Sequence, residues 1–244
     1  MSEKLEKYNL TQLREMGEKM GLHPRRSKLE MIKDIAKGFS EYEEYKREKI
    51  DKYVKGEQLG EKGKEGTTFL VTEVSTGKKY AMKCFRKAKS SSRLKKEYSM
   101  LRKAGKAGIS PKAYDYDTVS KYIVMERMDS HLYTEIDKNK GVLKKSHQER
   151  IIEIFSILDN IGLMHNDCNV ANYMLRDDIV YMIDFGLAKE INPKLIKTMG
   201  TDKPNSHLML IGLILKLKEQ NLPEKSYKYL LKNLPEEYKI KYGL

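Results

Sequence analysis

Moving a phosphoryl group from a nucleotide to a hydroxyl asks little covalent chemistry of a protein. It asks for backbone amides and a lysine on the phosphates, an acid and an amide on a metal ion, and a carboxylate beside the acceptor. The run Ile161-Gly-Leu-Met-His165-Asn166-Asp167-Cys-Asn169-Val-Ala-Asn172-Tyr-Met-Leu175 offers Asp167 to the hydroxyl and Asn172 to the metal. Nine residues past Leu175, Asp184 opens Asp184-Phe185-Gly186 and is the second metal ligand. Upstream, Leu59-Gly60-Glu-Lys-Gly63-Lys-Glu-Gly66 can bring backbone amides to phosphate oxygens with no Cβ in the way. Lys83, in Tyr80-Ala-Met-Lys83, follows Gly66 by seventeen residues, the separation expected of a lysine reaching under that loop to the α- and β-phosphates. Its orienting carboxylate is read as Glu97, on the helical pattern Arg93–Leu101, ahead of Glu73 and Glu126. Each string alone is ordinary, a hairpin turn or a buried strand. Their order and spacing together are not.

In that order, residues 55 to 217 resemble the eukaryotic-like protein kinase superfamily. The resemblance implies an α+β, two-lobed protein-kinase-like fold with a minimal C-terminal lobe. It also implies ATP and Mg2+ (or Mn2+) as cofactors and Asp167 as catalytic base. Asn172 and Asp184 become the metal ligands, Lys83 and Glu97 the phosphate-binding pair, and Gly60, Gly63 and Gly66 the loop over the nucleotide. Tyr122-Ile-Val-Met125-Glu126-Arg127-Met128 resembles the hinge, with backbone groups of Glu126 and Met128 on adenine and Met125 as gatekeeper. The chain's brevity is similar to the RIO type, the KEOPS-complex kinase and small serine/threonine kinases of large DNA viruses. Compactness and lysine richness suggest a viral source.

Several positions depart from the family pattern. Gly60 is one residue out of register. Asn166 replaces the arginine that precedes the catalytic aspartate, so activity is expected not to need activation-loop phosphorylation. Asn169 stands where serine/threonine kinases place a lysine, and Ala171 where tyrosine kinases place an arginine, leaving the γ-phosphate one cation short. No Ala-Pro-Glu motif follows Gly186. His207, at the start of His207-Leu-Met-Leu-Ile-Gly212, takes the place of an aspartate that braces the catalytic loop, and is read as an ordinary packed histidine. The His165–Asn172 run also resembles choline and aminoglycoside kinases, which build a larger helical lobe than this chain has room for. A serine/threonine protein acceptor is therefore the leading expectation. A small-molecule kinase, a pseudokinase or nucleic-acid-binding adaptor, and an ATPase within an assembly stand as alternatives.

The elements that must position these residues follow from periodicity. Leu10, Leu13, Met16 and Met20 mark one helix; Ser27 caps a second, carrying Leu29, Ile32 and Ile35. Residues 1–38 thus resemble a SAP-like helical module whose Arg25, Arg26 and Lys28 face nucleic-acid phosphates without sequence preference. Residues 39–54 form a charged linker or bridging helix, 55–128 the N-lobe and 129–244 the reduced C-lobe. Strands are expected at 67–74, 79–84, 121–125, 172–175 and 180–183, with helices dominating after 143.

A net charge of +13 over 244 residues suits either a polyanionic partner or a solubilising lysine-rich surface. Cys84 and Cys168 give neither a disulfide framework nor a zinc site. No run approaches the ~18 apolar residues of a membrane span, and the first residues hold no apolar signal core. The expectation is an intracellular protein, cytoplasmic or nuclear (of a host cell or virion if viral), not secreted and without a membrane partner.

Overall fold

The computed structural model describes residues 5, 6, 8–20 and 27–244, with backbone alone at 18, 19 and 41–51. The chain divides into two compact units, residues 1–55 with 72–78, and residues 56–71 with 79–244.

In the first unit, α1 (Leu10–Lys19) and α2 (Lys28–Lys52) share a small core. Each begins with a reciprocal cap. Asn9 Oδ1 accepts from the Gln12 amide while Asn9 N–H donates to Gln12 Oε1, at 2.9 and 3.0 Å. Ser27 and Glu30 repeat the arrangement, with Ser27 N–H donating to Glu30 Oε2 at 2.8 Å. Leu5, Leu13, Met31, Ile32 and Ile35 are buried, packed by Leu10 and Met16. Leu29 and Met20, expected inside, are exposed; Met31 fills the place that periodicity gave to Leu29. The helix α2 runs from Lys28 to Lys52 without a break at the boundary expected at 38/39. Arg25 and Arg26 lie outside the described residues.

A five-stranded sheet follows, with order β1-β2-β3-β5-β4: β1 is Tyr53–Leu59, β2 Gly66–Glu73, β3 Lys79–Phe85, β4 Ala113–Asp117 and β5 Tyr122–Met125. Helix α3 (Ser91–Lys106) is inserted between β3 and β4. Ser90 Oγ accepts from the Arg93 amide and caps it, so Ser90-Ser-Ser92 is a helix start. The second unit continues as β6 (Ser130–His131), α4 (Leu132–Lys138), α5 (Lys145–Asn160), β7 (Leu163–Met164), β8 (Tyr173–Arg176), β9 (Ile179–Met182) and β10 (Lys189–Glu190). It closes with α6 (Pro193–Met199), α7 (Leu210–Glu219), α8 (Lys228–Lys232) and α9 (Glu236–Tyr242).

The β8–β9 hairpin sets the positions of Asn172 and Asp184. Asp177 and Asp178 are both left-handed, the geometry of a two-residue hairpin turn, and Arg176 pairs with Ile179 across it. Asn172 therefore enters β8 as Asp184 leaves β9. The core beneath is contiguous: Ile151, Ile154, Phe155 and Leu158 of α5 belong to one buried cluster with Leu210, Leu213, Ile214 and Leu217 of α7. Among the described residues, no helix is long and apolar enough to cross a membrane.

Candidate active site

Lys83 sits on β3 opposite Ile123, in a strand whose neighbours Ala81 and Met82 are buried. Its Nζ lies 2.8 Å from Glu97 Oε1 and 3.1 Å from Asp184 Oδ1. Glu97 follows Lys83 by 14 residues and Asp184 follows it by 101, and the fold brings both carboxylates within hydrogen-bond distance of the one ammonium. Glu97 is only 3% exposed, on the inner face of α3. Glu73 and Glu126 go elsewhere: Glu73 accepts from Thr76 Oγ1, and Glu126 pairs with Arg176. Burial alone would lower the Lys83 pKa, but the Asp184 and Glu97 carboxylates outweigh it and raise it above the usual lysine value. For Asp184 burial pushes upward, the Lys83 ammonium pulls further down, and the net shift is downward.

Asp184 adopts a left-handed backbone, φ +63°, and its Oδ1 accepts from the Gly186 amide at 3.3 Å. A Cβ at Gly186 would stand 3.3 Å from carboxylate oxygens of Asp184, Glu65 and Glu97. Asn172 is held next door, its carbonyl accepting from the Ile183 amide at 2.8 Å. Its side chain is nearly buried, and Nδ2 finds no hydrogen-bond partner among the described residues. The unpartnered atom is the amide nitrogen, a donor that binds no cation; the hard-cation donors here are oxygens, the Asn172 side-chain carbonyl and the Asp184 carboxylate. The residues present fit a magnesium ion held by Asp184 and Asn172.

Asp167 is on the loop between β7 and β8. Its Oδ1 accepts from the Asn169 amide at 3.1 Å, and Asn169 Oδ1 caps the next turn by accepting from Ala171 at 3.0 Å. Asn169 thus serves the loop's own backbone. His165 lies beneath, fully buried, with ring nitrogens 3.1 Å from the Asp167 carbonyl and 2.9 Å from the Ile183 carbonyl. Phe185 meets the His165 ring edge-on.

The brace for this loop is Asn205, a residue the sequence reading passed over. Its Oδ1 accepts from the His165 amide at 3.0 Å, and its Nδ2 donates to the Leu163 carbonyl and to Asp159 Oδ1, each at 2.7 Å. Asp159 also accepts from the Asn205 and Ser206 amides. His207 instead contacts Thr201 Oγ1 at 2.7 Å and packs on Tyr238, as a packed histidine does. No sequence signal marked Asn205, which stands three positions ahead of the apolar run that opens at Leu208.

Gly66 has no room for a side chain: a Cβ would lie 2.1 Å from the Cys84 carbonyl oxygen. Gly60 has a positive φ of +68°, whereas Gly63 is uncrowded. In the segment expected to be the hinge, the Glu126 amide donates to the Lys112 carbonyl at 2.8 Å. Met128 is buried, and its backbone N–H reaches no backbone carbonyl among the described residues. Lys28, in the separate helical unit, donates to the Glu6 carbonyl at 3.0 Å.

The protein kinase domain family profile matches residues 53–203. The chain belongs to the protein kinase domain family. Within it, mouse dual specificity protein kinase TTK is 32% identical over 85 residues, covering 33% of this chain and 10% of TTK. The KEOPS complex subunit Bud32 of Pyrococcus abyssi is 32% identical over 102 residues, 38% of this chain and 44% of Bud32. A probable myosin light chain kinase of Dictyostelium discoideum is 29% identical over 163 residues, 62% of this chain and 52% of that protein. This kinase chain therefore spans between a tenth and about half of the lengths of these curated relatives. A crystallised kinase domain superposes with a TM-score of 0.50 at 20% identity, covering 57% of this chain and 52% of that one, a likeness of fold.

Proposed function

We propose that this chain is an ATP- and Mg2+-dependent protein kinase that transfers the γ-phosphate to a serine or threonine hydroxyl. The observation that carries the reading is Lys83 held between Glu97 and Asp184. A lysine buried in that pair can exchange one carboxylate for phosphate oxygens without losing its orientation. Asp184 and Asn172 would hold the magnesium ion, which would supply positive charge to offset the charge that develops on the phosphate oxygens. Asp167, half-buried and oriented by the Asn169 amide, accepts the proton of the acceptor hydroxyl. Hinge backbone at Glu126 and Met128 takes adenine, and the loop carrying Gly60, Gly63 and Gly66 covers the phosphates.

The test is transfer of labelled γ-phosphate from ATP with magnesium, to the chain itself and to a generic basic protein, for wild type and Asp167→Ala. Phosphoserine or phosphothreonine formed by wild type and lost in the variant is the expected result. Release of labelled inorganic phosphate with no labelled protein would favour the assembly ATPase. Nucleotide binding with neither product would overturn the kinase reading in favour of an adaptor.

A further inference from the structure

Glu97 carries a second lysine that no motif announces. Lys89, in the turn that leaves β3, places its Nζ 2.7 Å from Glu97 Oε2 and 2.7 Å from Glu65 Oε2. Its side chain is only 8% exposed, and the ammonium stands 4.9 Å from the centre of the Phe85 ring. Glu65 belongs to the glycine-rich loop, immediately before Gly66. The turn holding Lys89 is itself pinned, because Lys121 Nζ donates to the Lys87 and Lys89 carbonyls and Phe85 N–H donates to the Lys121 carbonyl. Arg86 N–H adds a bond to the Glu65 carbonyl at 2.9 Å.

The consequence is electrostatic and geometric. Glu65, Glu97 and Asp184 present carboxylate oxygens within 4.8 Å of one another, with the Lys83 and Lys89 ammonium groups bonded among them. The two ammonium groups offset two of the three carboxylate charges and tie the cluster together. A glutamate's terminal torsion is broad, so a single lysine would let the Glu97 carboxylate swing. With one oxygen on each lysine it cannot. Glu65, uncompensated, would set a negative charge in the loop that must lie over the nucleotide's own negative charge.

We propose that Lys89 is a positioning residue of the phosphotransferase: it fixes Glu97 for Lys83 and latches the glycine-rich loop through Glu65. The proposal rests on the kinase reading above and assigns this chain a second structural lysine at the phosphate-binding pair.

Lys89→Met, Lys89→Arg, Glu65→Gln and Glu97→Gln, with the doubles Lys89→Met/Glu97→Gln and Lys89→Met/Glu65→Gln, are compared with wild type. Labelled transfer gives kcat and KM for ATP, and a fluorescent ATP analogue gives equilibrium affinity. Lys89→Met is expected to lower kcat/KM about 10–100-fold, as small misplacements of reacting groups do. Lys89→Arg restores most of the loss. Added to Glu97→Gln, Lys89→Met costs less than about twofold more, because it acts through the residue already removed. Glu65→Gln raises KM for ATP more than it lowers kcat.

Hydrogen exchange without nucleotide gives a readout independent of activity: Lys89→Met should speed exchange in residues 60–66 and at the start of α3. Unchanged kinetics and exchange, or costs that add fully in the Glu97→Gln background, would overturn the proposal. If wild type neither binds nucleotide nor transfers phosphate, the kinase reading fails while exchange still decides the latch. If Lys89→Met does not fold, Glu65→Gln carries the test of the loop arm and Lys89→Arg that of the Glu97 arm.

Discussion

At the scale of single residues, the groups named from sequence and the groups that hold them are legible to different degrees. Asp167, Asn172 and Asp184 stand in short, rigidly spaced strings, so their types and separations carry the information. Asp167→Asn should lower the rate of transfer by about 10²–10⁴, the usual worth of a positioned base, with ATP affinity retained. Single-turnover transfer and nucleotide titration separate the two. Lys89 and Asn205 were not legible. Lys89 is one of several cations in Arg86-Lys-Ala-Lys89, in a chain where lysine is everywhere, and only folding shows that it is buried between two glutamates. Asn205 lies in a π-helical turn ahead of α7, so helical periodicity beginning at His207 pointed past it.

The charges of the Lys83–Asp184 pair give a prediction at the same scale. Asp184 has a lowered pKa in the folded chain, so its contribution to stability is present above the ordinary value of 3.8 and lost as pH falls through the folded value. Lys83 has a raised pKa, so its contribution is present below 10.5 and lost as pH rises through the folded value. Between those limits the pair stays ionised. The difference in melting midpoint between wild type and Lys83→Met should therefore be flat across the neutral range. It should narrow only near the two extremes, as thermal melts at stepped pH would show.

At the scale of elements, two glycines record close approach. Gly66 on β2 faces the Cys84 carbonyl with 2.1 Å available to a Cβ, so Gly66→Ala must push β2 away from β3. Gly212 on α7 leaves 2.6 Å between its missing Cβ and Cys168 Sγ, next to Asp167. Gly212→Ala should displace the catalytic loop and cost about 1–3 kcal/mol, the range for overpacking a fitted interior. Chemical denaturation measures that cost, and Cys168→Ala in the same chain should relieve most of it. Strand reading at this scale was uneven for a physical reason. The core strands β2, β3 and β5 are apolar and were seen. β1 is exposed along nearly its whole length, and β4 alternates tyrosine with aspartate, so neither shows the apolar pattern that marks a strand. Ser90 capping α3, by contrast, is a local rule, readable once the helix is known.

At the scale of the whole molecule, the remaining question is what a net charge of +13 is for. The helical unit has its own caps and its own core, and the expected phosphate-facing residues Arg25, Arg26 and Lys28 fall within four consecutive positions of the sequence. Lys28 spends one of three ammonium protons on the Glu6 carbonyl and keeps two for other acceptors. If these residues contact backbone phosphates, the full chain should bind duplex DNA of any sequence. The logarithm of the binding constant should then fall linearly with the logarithm of salt concentration, by about 0.9 for each phosphate neutralised. Replacing all three with alanine should shallow that slope by about 2.7, three contacts at about 0.9 each. A slope unchanged by the replacement would assign DNA affinity to the lysine-rich kinase unit. Absence of binding at low salt would leave the charge as a solubilising surface. Fluorescence anisotropy of a labelled duplex, titrated at four salt concentrations, separates these outcomes because each assigns the charge to a different part of the chain.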